Sequence, residues 1–168
     1  MTAVINIRQP GPAAPVERHL VLSGIAATAA LGAAIAERAR PGDVIALAGA
    51  LGAGKTTFAR YFIRATGAEE EDVPSPTFTL VQSYEGRAFT IWHFDLYRLE
   101  RPEDAIELGI DDAFADGVSL IEWPERLGAL LPAERLDLRL DFAESADNRR
   151  AHLIGYGGWS SRLKDMKL

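Results

Sequence analysis

The chain has 168 residues, 48% of them hydrophobic, which is enough for one compact domain with its own core and short for two. Its 24 acidic and 18 basic residues leave a net charge of -6, which argues against a chain that grips nucleic acid by itself, a local basic patch aside. With no cysteine there is neither a disulfide framework nor a thiolate metal site, so packing alone must hold the fold.

The opening stretch, "MTAVINIRQPGPAAPVERHL", lacks a basic start followed by an apolar block and is not read as a secretory signal. Residues 1–18 are expected to be a flexible leader and residues 19–168 a single domain. A short strand is predicted over His19 to Leu22, followed by a helix from about Ile25 to Ala39 with Ser23 as its cap; Pro41 and Gly42 stop it. That alanine-rich helix is too short for a membrane span and ends in Glu37, Arg38 and Arg40. Val44 to Ala48 is an unbroken apolar run between turn residues, the mark of a strand buried on both faces. After a glycine loop, Phe58, Tyr61, Phe62 and Ala65 recur at helical spacing from Lys55 to about Thr66.

Two alternating segments, "TFTLVQSYEG" and "RAFTIWHFDLYRL", read as a hairpin around Glu85 and Gly86. A helix is predicted from Pro102, with a second helical stretch between Gly109 and Gly117. "VSLIE" reads as another buried strand and Pro124 as the start of a short helix. "RLDLRLDF" and "RAHLIGYG" read as a second hairpin, and the tail as a short helix. Strands alternating with helices predict an α/β domain, and the hairpins add antiparallel members to a mixed, mostly parallel central sheet.

The loop itself, "GALGAGKT", has Gly49, four residues, Gly54, Lys55 and Thr56, with a strand before it and a helix after it. This is the full phosphate-binding (Walker A) pattern in its expected context, and it predicts a P-loop NTPase-like three-layer domain. Gly49, Gly52, Ala53 and Gly54 let backbone N–H groups curl around phosphates, and the helix start adds a favourable dipole. Lys55 is expected to neutralise the β and γ phosphates, Thr56 to offer a hydroxyl to Mg2+, and Thr57 to touch the α phosphate. A turn that binds nothing has no need of a lysine and two threonines behind so flexible a backbone.

Such a loop requires a second acidic residue at the end of a neighbouring buried strand, and Glu122 closes "VSLIE" in that place. In "HFDLYR", His93, Asp95 and Tyr97 share one side of an extended strand, so Asp95 could line a site or simply pair with Arg98. "PSPTF" could bring Thr77 to the γ phosphate as a nucleotide-sensing loop, or could be only a turn. His19 and His152 have no partner spacing that suggests a metal, and Trp92 and Trp159 read as packing residues.

Four stretches, "GALGAGKTTFAR", "SPTFTLVQSYEG", "HFDLYRL" and "IEWPERL", in this order, resemble the bacterial TsaE (YjeE) family over about Val44 to Leu127. The resemblance implies a cytoplasmic ATPase, using ATP and Mg2+, that acts in threonylcarbamoylation of adenosine 37 in tRNAs decoding ANN codons. Its partners would be TsaD and TsaB, with tRNA met only through their complex. It also implies that Lys55 meets phosphate, that Thr56 and Glu122 hold magnesium, and that Asp95 belongs to the catalytic site. Thr77 would lie in a nucleotide-responsive loop and Trp123 beside the site. No arginine is assigned to complete the site: Arg87, Arg98 and Arg126 are candidates, or a partner supplies the group.

Two other readings share the loop. A small-molecule kinase would need an acceptor pocket and a mobile, arginine-bearing lid, and the segment after Glu122 reads as short helix and strand instead. An assembly factor would use ATP to control docking and hydrolysis only as a reset.

Overall fold

In the computed structural model, residues 13–69 and 72–168 are described. Among these residues seven strands form one sheet in the order β1-β7-β6-β2-β5-β4-β3. They are β1 (Val16–Ser23), β2 (Val44–Ala48), β3 (Val81–Glu85), β4 (Thr90–Asp95), β5 (Val118–Glu122), β6 (Leu136–Phe142) and β7 (Asn148–Gly155). The centre is parallel, β6 on β2, β2 on β5 and β5 on β4, and the flanking pairs are antiparallel. This is the mixed, mostly parallel α/β sheet that the alternation of elements predicts.

The helices are α1 (Gly24–Ala36), α2 (Lys55–Ala65), α3 (Asp104–Glu107), α4 (Ile110–Asp116) and α5 (Gly158–Lys164), with a 3-10 helix at Pro124–Leu130. On one face of the sheet, Leu31 and Ile35 of α1, Phe58, Phe62 and Ile63 of α2 and Trp159 and Leu163 of α5 pack into one core. On the other, Ala105, Ile110, Ala113 and Leu127 from α3, α4 and the 3-10 helix close over Val44, Phe94 and Ile121. Covered on both sides, β2 and β5 bury nearly every residue, which is why both are continuous apolar runs. Each fully buried Phe, Leu or Ile stabilises the fold by about 1.5–3 kcal/mol. Gly32 lets α1 lie close on α2, since a Cβ there would sit 3.1 Å from the Phe62 nitrogen.

Several expectations need correction. The first strand begins at Val16, so residues 16–18 of the expected leader are paired with β7; residues 1–12 of it lie outside the described residues. Helix α1 ends at Ala36 rather than Ala39, because the chain tightens there into three-residue turns, Arg38 N–H to Ile35 O and Ala39 N–H to Ala36 O. The first hairpin strand starts at Val81 rather than Thr77. Leu80 turns left-handed (φ 64°) and its N–H bonds the Pro76 carbonyl at 2.7 Å, so residues 76–80 form a turn. That turn carries Thr77 toward the end of β4.

Helix α5 is fastened to the turn before β2 by a paired Arg162–Asp43 contact, Nη1 to Oδ2 at 2.6 Å and Nη2 to Oδ1 at 2.8 Å. Both side chains are largely buried, the setting in which a two-pronged pair holds geometry well. The result steadies the entry to the strand that leads into the phosphate loop. Among the described residues no helix is long and apolar enough to cross a membrane.

Candidate nucleotide site

The carboxyl ends of β2, β4 and β5 lie side by side, and ligands of open α/β sheets bind at such strand ends. From β2 the chain passes through Gly49 (φ 141°), Gly52 (φ 80°) and Gly54 (φ 109°), conformations that favour glycine, and enters α2 at Lys55. Gly49 meets a second demand. A Cβ on it would lie 2.2 Å from the Leu140 carbonyl oxygen, so β6 can press against the loop only if residue 49 has no side chain.

Lys55 is 4% exposed, and its Nζ donates to the carbonyls of Gly49 at 2.8 Å and Ala50 at 2.9 Å. It also sits 4.4 Å from the centre of the Trp123 ring. Burial lowers its pKa below the ordinary 10.5, while the negative charges of Glu122, Asp95 and Glu125 act in the opposite direction. A cation bonded to two carbonyl oxygens and facing a ring, with no carboxylate ion-paired to it among the described residues, is one that an anion can recruit.

One residue on, the Thr56 hydroxyl donates to Glu122 Oε1 at 2.8 Å. The same oxygen is 2.9 Å from His93 Nε2, with the His93 side chain fully buried. Among the described residues His93 Nδ1 has no partner, and a lone pair is cheaper to leave unmatched than an N–H. The proton therefore belongs on Nε2, where it donates to Glu122. Both bonds go to Oε1, so Oε2 is the oxygen with no side-chain donor among the described residues. Thr56 and Glu122 together offer a hydroxyl and a carboxylate, the hard oxygen donors that Mg2+ takes alongside waters.

Asp95 stands beside Glu122 in the β4–β5 register. Its Oδ2 accepts from Ser75 Oγ at 2.7 Å and from Thr77 Oγ1 at 3.3 Å, and its Oδ1 accepts from the Tyr97 N–H at 3.2 Å. Asp95 thus gathers the 75–77 turn rather than pairing with Arg98, whose guanidinium lies 4.6 Å over the Phe78 ring. Trp123, left-handed at φ 60°, packs its ring 4.9 Å from that of Tyr97 and forms a wall beside Lys55. A non-glycine residue held in that conformation stores strain of about 1–3 kcal/mol, a cost met often at functional sites.

These groups converge on a cleft of about 260 Å³ lined by Gly52, Gly54, Lys55, Thr56, Thr57, Ser75, Thr77, Asp95, Tyr97, Glu122 and Trp123. Of the sequence-predicted residues, Gly49 and Ala53 do not line it. Gly49 offers its carbonyl to Lys55, and buried Ala53 accepts from Arg149 Nε at 3.1 Å, which braces the loop from behind. Arg87, Arg98 and Arg126 are also absent from its lining. A larger hollow of about 590 Å³ lies beyond Trp123, against Ala46, Arg139 and Ile154, but neither Lys55 nor Thr56 borders it. The smaller cleft is the one bordered by Lys55, Thr56, Asp95 and Glu122.

Two contributors, Ser75 and Arg149, have no role in the sequence reading, and a third, His93, is legible there only as a neighbour of Asp95. Ser75 sits two residues before Thr77 between two prolines, a spacing that could have placed both hydroxyls on one side. His93 was placed on the side of Asp95, but its bond to Glu122 depends on β4 lying beside β5. Arg149 carries no local signal at all.

Known proteins resemble this chain over most of its length. The family model described as threonylcarbamoyl adenosine biosynthesis protein TsaE matches residues 22–151. A Rickettsia felis protein named tRNA threonylcarbamoyladenosine biosynthesis protein TsaE is 39% identical over 146 residues, 87% of this chain and 84% of its own. A Bacillus subtilis protein of the same name is 41% identical over 112 residues, 66% of this chain and 69% of its own. The crystal structure of Bacillus subtilis YdiB superposes with a TM-score of 0.75 at 29% identity, covering 91% of this chain and 95% of that one. The chain belongs to the TsaE family, with a P-loop NTPase-like fold.

Proposed function

We propose that this protein binds ATP with Mg2+ and hydrolyses it in support of threonylcarbamoylation of adenosine 37 in tRNAs decoding ANN codons, acting in the cytoplasm with TsaD and TsaB. The observation that carries the reading is the convergence of Lys55, the Thr56–Glu122 pair and the Asp95 cluster on one cleft at the strand ends.

On binding, Lys55 Nζ would leave the Gly49 and Ala50 carbonyls for the β and γ phosphates, while backbone N–H groups of the loop and the start of α2 would donate to the remaining phosphate oxygens. Magnesium, with Thr56 and Glu122 as its protein ligands, would supply neutralisation of the charge that builds on the transferring group. His93 holds Glu122 in orientation. Asp95, or Glu122, orients a water for attack on the γ phosphorus; the new bond is to that oxygen, the bond to the β–γ bridging oxygen breaks, and ADP and phosphate leave. Because no arginine lines the cleft among the described residues, the group that completes the site is assigned to a partner, which makes hydrolysis slow alone and faster in the complex.

The test is magnesium-dependent ATP hydrolysis by the purified protein, alone and with TsaB and TsaD, beside Lys55→Ala. Stimulation by the pair that disappears in the variant is expected. No effect of the pair, together with phosphorylation of a small-molecule acceptor, would replace this reading with a kinase.

A further inference from the structure

Along β1, β6 and β7 alternate residues turn away from α1, α2 and α5. Leu20, Leu22, Leu138, Leu140, Ala151 and Leu153 face the helices, whereas Glu17, His19, Arg139 and His152 lie on the opposite face. There His19 of β1 stands directly across from His152 of β7. Their rings stack with centroids 4.1 Å apart and 12° between planes. Glu17, two residues before His19 and so on the same side, places Oε2 3.0 Å from His152 Nε2 and 4.0 Å from His19 Nε2. All three side chains present a donor atom within 4.8 Å of the other two. None of them lines the nucleotide cleft.

We propose that Glu17, His19 and His152 form a surface site for a zinc-class divalent cation that joins the edge strand β1 to β7. Two imidazole nitrogens and one carboxylate oxygen, with water completing the shell, make a donor set suited to Zn2+ and unsuited to Mg2+, which takes oxygen ligands. One carboxylate oxygen can hydrogen-bond His152 well, but His19 stays at 4.0 Å from it, and a shared cation satisfies all three at once. Metal–ligand distances of about 2.0–2.2 Å require the His19 contact to close, while Glu17 Oε2 and His152 Nε2 already stand within the span of two ligands on one ion. The movement falls on side chains, with His19 and Glu17 73% and 56% exposed, while the paired backbones already hold the Cα atoms in register. Arg139 flanks His152 from β6 and opposes a cation, but its Nε is engaged by Asp141 Oδ2 at 3.2 Å. Arg150 and Asp141 border the same hollow, so the flanking side chains carry one net positive charge, which the Glu17 carboxylate offsets. An ion bound across β1 and β7 stabilises the folded form by mass action and anchors the strand with which the described fold begins.

The experiment is a zinc titration of the metal-stripped, full-length protein, followed by calorimetry, by histidine ring NMR signals and by the thermal midpoint. One ion per chain is expected, with the His19 and His152 signals shifting, the His93 signals still, the midpoint rising, and excess Mg2+ failing to compete. His19→Gln and His152→Gln should each lose the binding with unchanged circular dichroism, and Lys55→Ala should keep it. Glu17→Ala, at an exposed position, serves as a further ligand deletion should His152→Gln fold poorly. Absence of binding, or a zinc response that centres on His93 or survives His19→Gln, overturns the proposal.

Discussion

Replacing Gly49 with alanine should destabilise the protein far more than its place in a surface loop suggests. The φ of 141° is essentially reserved to glycine, and forcing another residue there costs about 1–3 kcal/mol. The new Cβ would lie 2.2 Å from the Leu140 carbonyl oxygen, against a practical minimum of 3.0 Å, so loop or strand must move by about 0.8 Å. The obstacle is backbone, not a flexible side chain, and overpacking of this kind costs about 1–3 kcal/mol more. The sum, about 2–6 kcal/mol, is a large part of the roughly 5–15 kcal/mol that holds a domain folded. At about 2–4 °C per kcal/mol for a chain of this size, the thermal midpoint should fall by at least about 4 °C. Gly52→Ala is the control. Its φ of 80° also disfavours a side chain, but the nearest atom to the new Cβ is the tip of the Phe142 ring at 3.9 Å, so only the conformational cost of about 1–2 kcal/mol applies. Thermal unfolding followed by circular dichroism measures both. If Gly49→Ala melts at or above Gly52→Ala, the reasoning about Leu140 is refuted.

Removing the donor behind Glu122 with His93→Ala should raise the magnesium concentration needed for half-maximal hydrolysis by about 10–100-fold, and His93→Gln should recover part of the loss; equal magnesium dependence in all three proteins would rule out a positioning role. The buried Lys55 ammonium has a pKa below its ordinary 10.5, so the folded state gives up this proton before the unfolded state does. The cost of burying the charge is therefore complete at neutral pH and is relieved as pH rises through the folded pKa toward 10.5. Stability measured relative to Lys55→Met should improve with pH across that alkaline window, while ATP affinity falls as the cation is lost. Chemical denaturation and nucleotide titration over the same pH range read the two effects, and parallel curves for wild type and variant would contradict the assignment.

The site was legible where its information is local. Gly49 to Thr56 carry spacing, strand and helix within a dozen residues, and the apolar run ending at Glu122 marks a buried strand by itself. Asp95 was ambiguous because spacing cannot distinguish a site acid from a partner of Arg98; only the 75–77 turn folding back onto β4 separates them. Pro74 to Phe78 allow a loop or a turn, but Thr77 to Leu80 also alternate as a strand does, and the left-handed φ of Leu80 leaves no trace in a leucine. Strand order was beyond reach as well. The second hairpin joins the sheet at β2, and the first strand of the described chain docks outside β7, both through pairings far apart in sequence. For the same reason His19 and His152 show no partner spacing in the sequence, and only the pairing of β1 with β7 brings them together beside Glu17.

The most direct test of the account is tRNA threonylcarbamoylation by TsaD and TsaB supplied with the threonylcarbamoyl adenylate, comparing wild-type protein with Asp95→Asn under conditions that allow many rounds. Under the proposed role of Asp95 in orienting the attacking water, its loss should slow ATP hydrolysis by about 10²–10⁴-fold, and modification should stall in step with it while nucleotide still binds. Sustained modification by an Asp95→Asn protein that no longer hydrolyses ATP would contradict the claim that hydrolysis in this cleft drives the cycle.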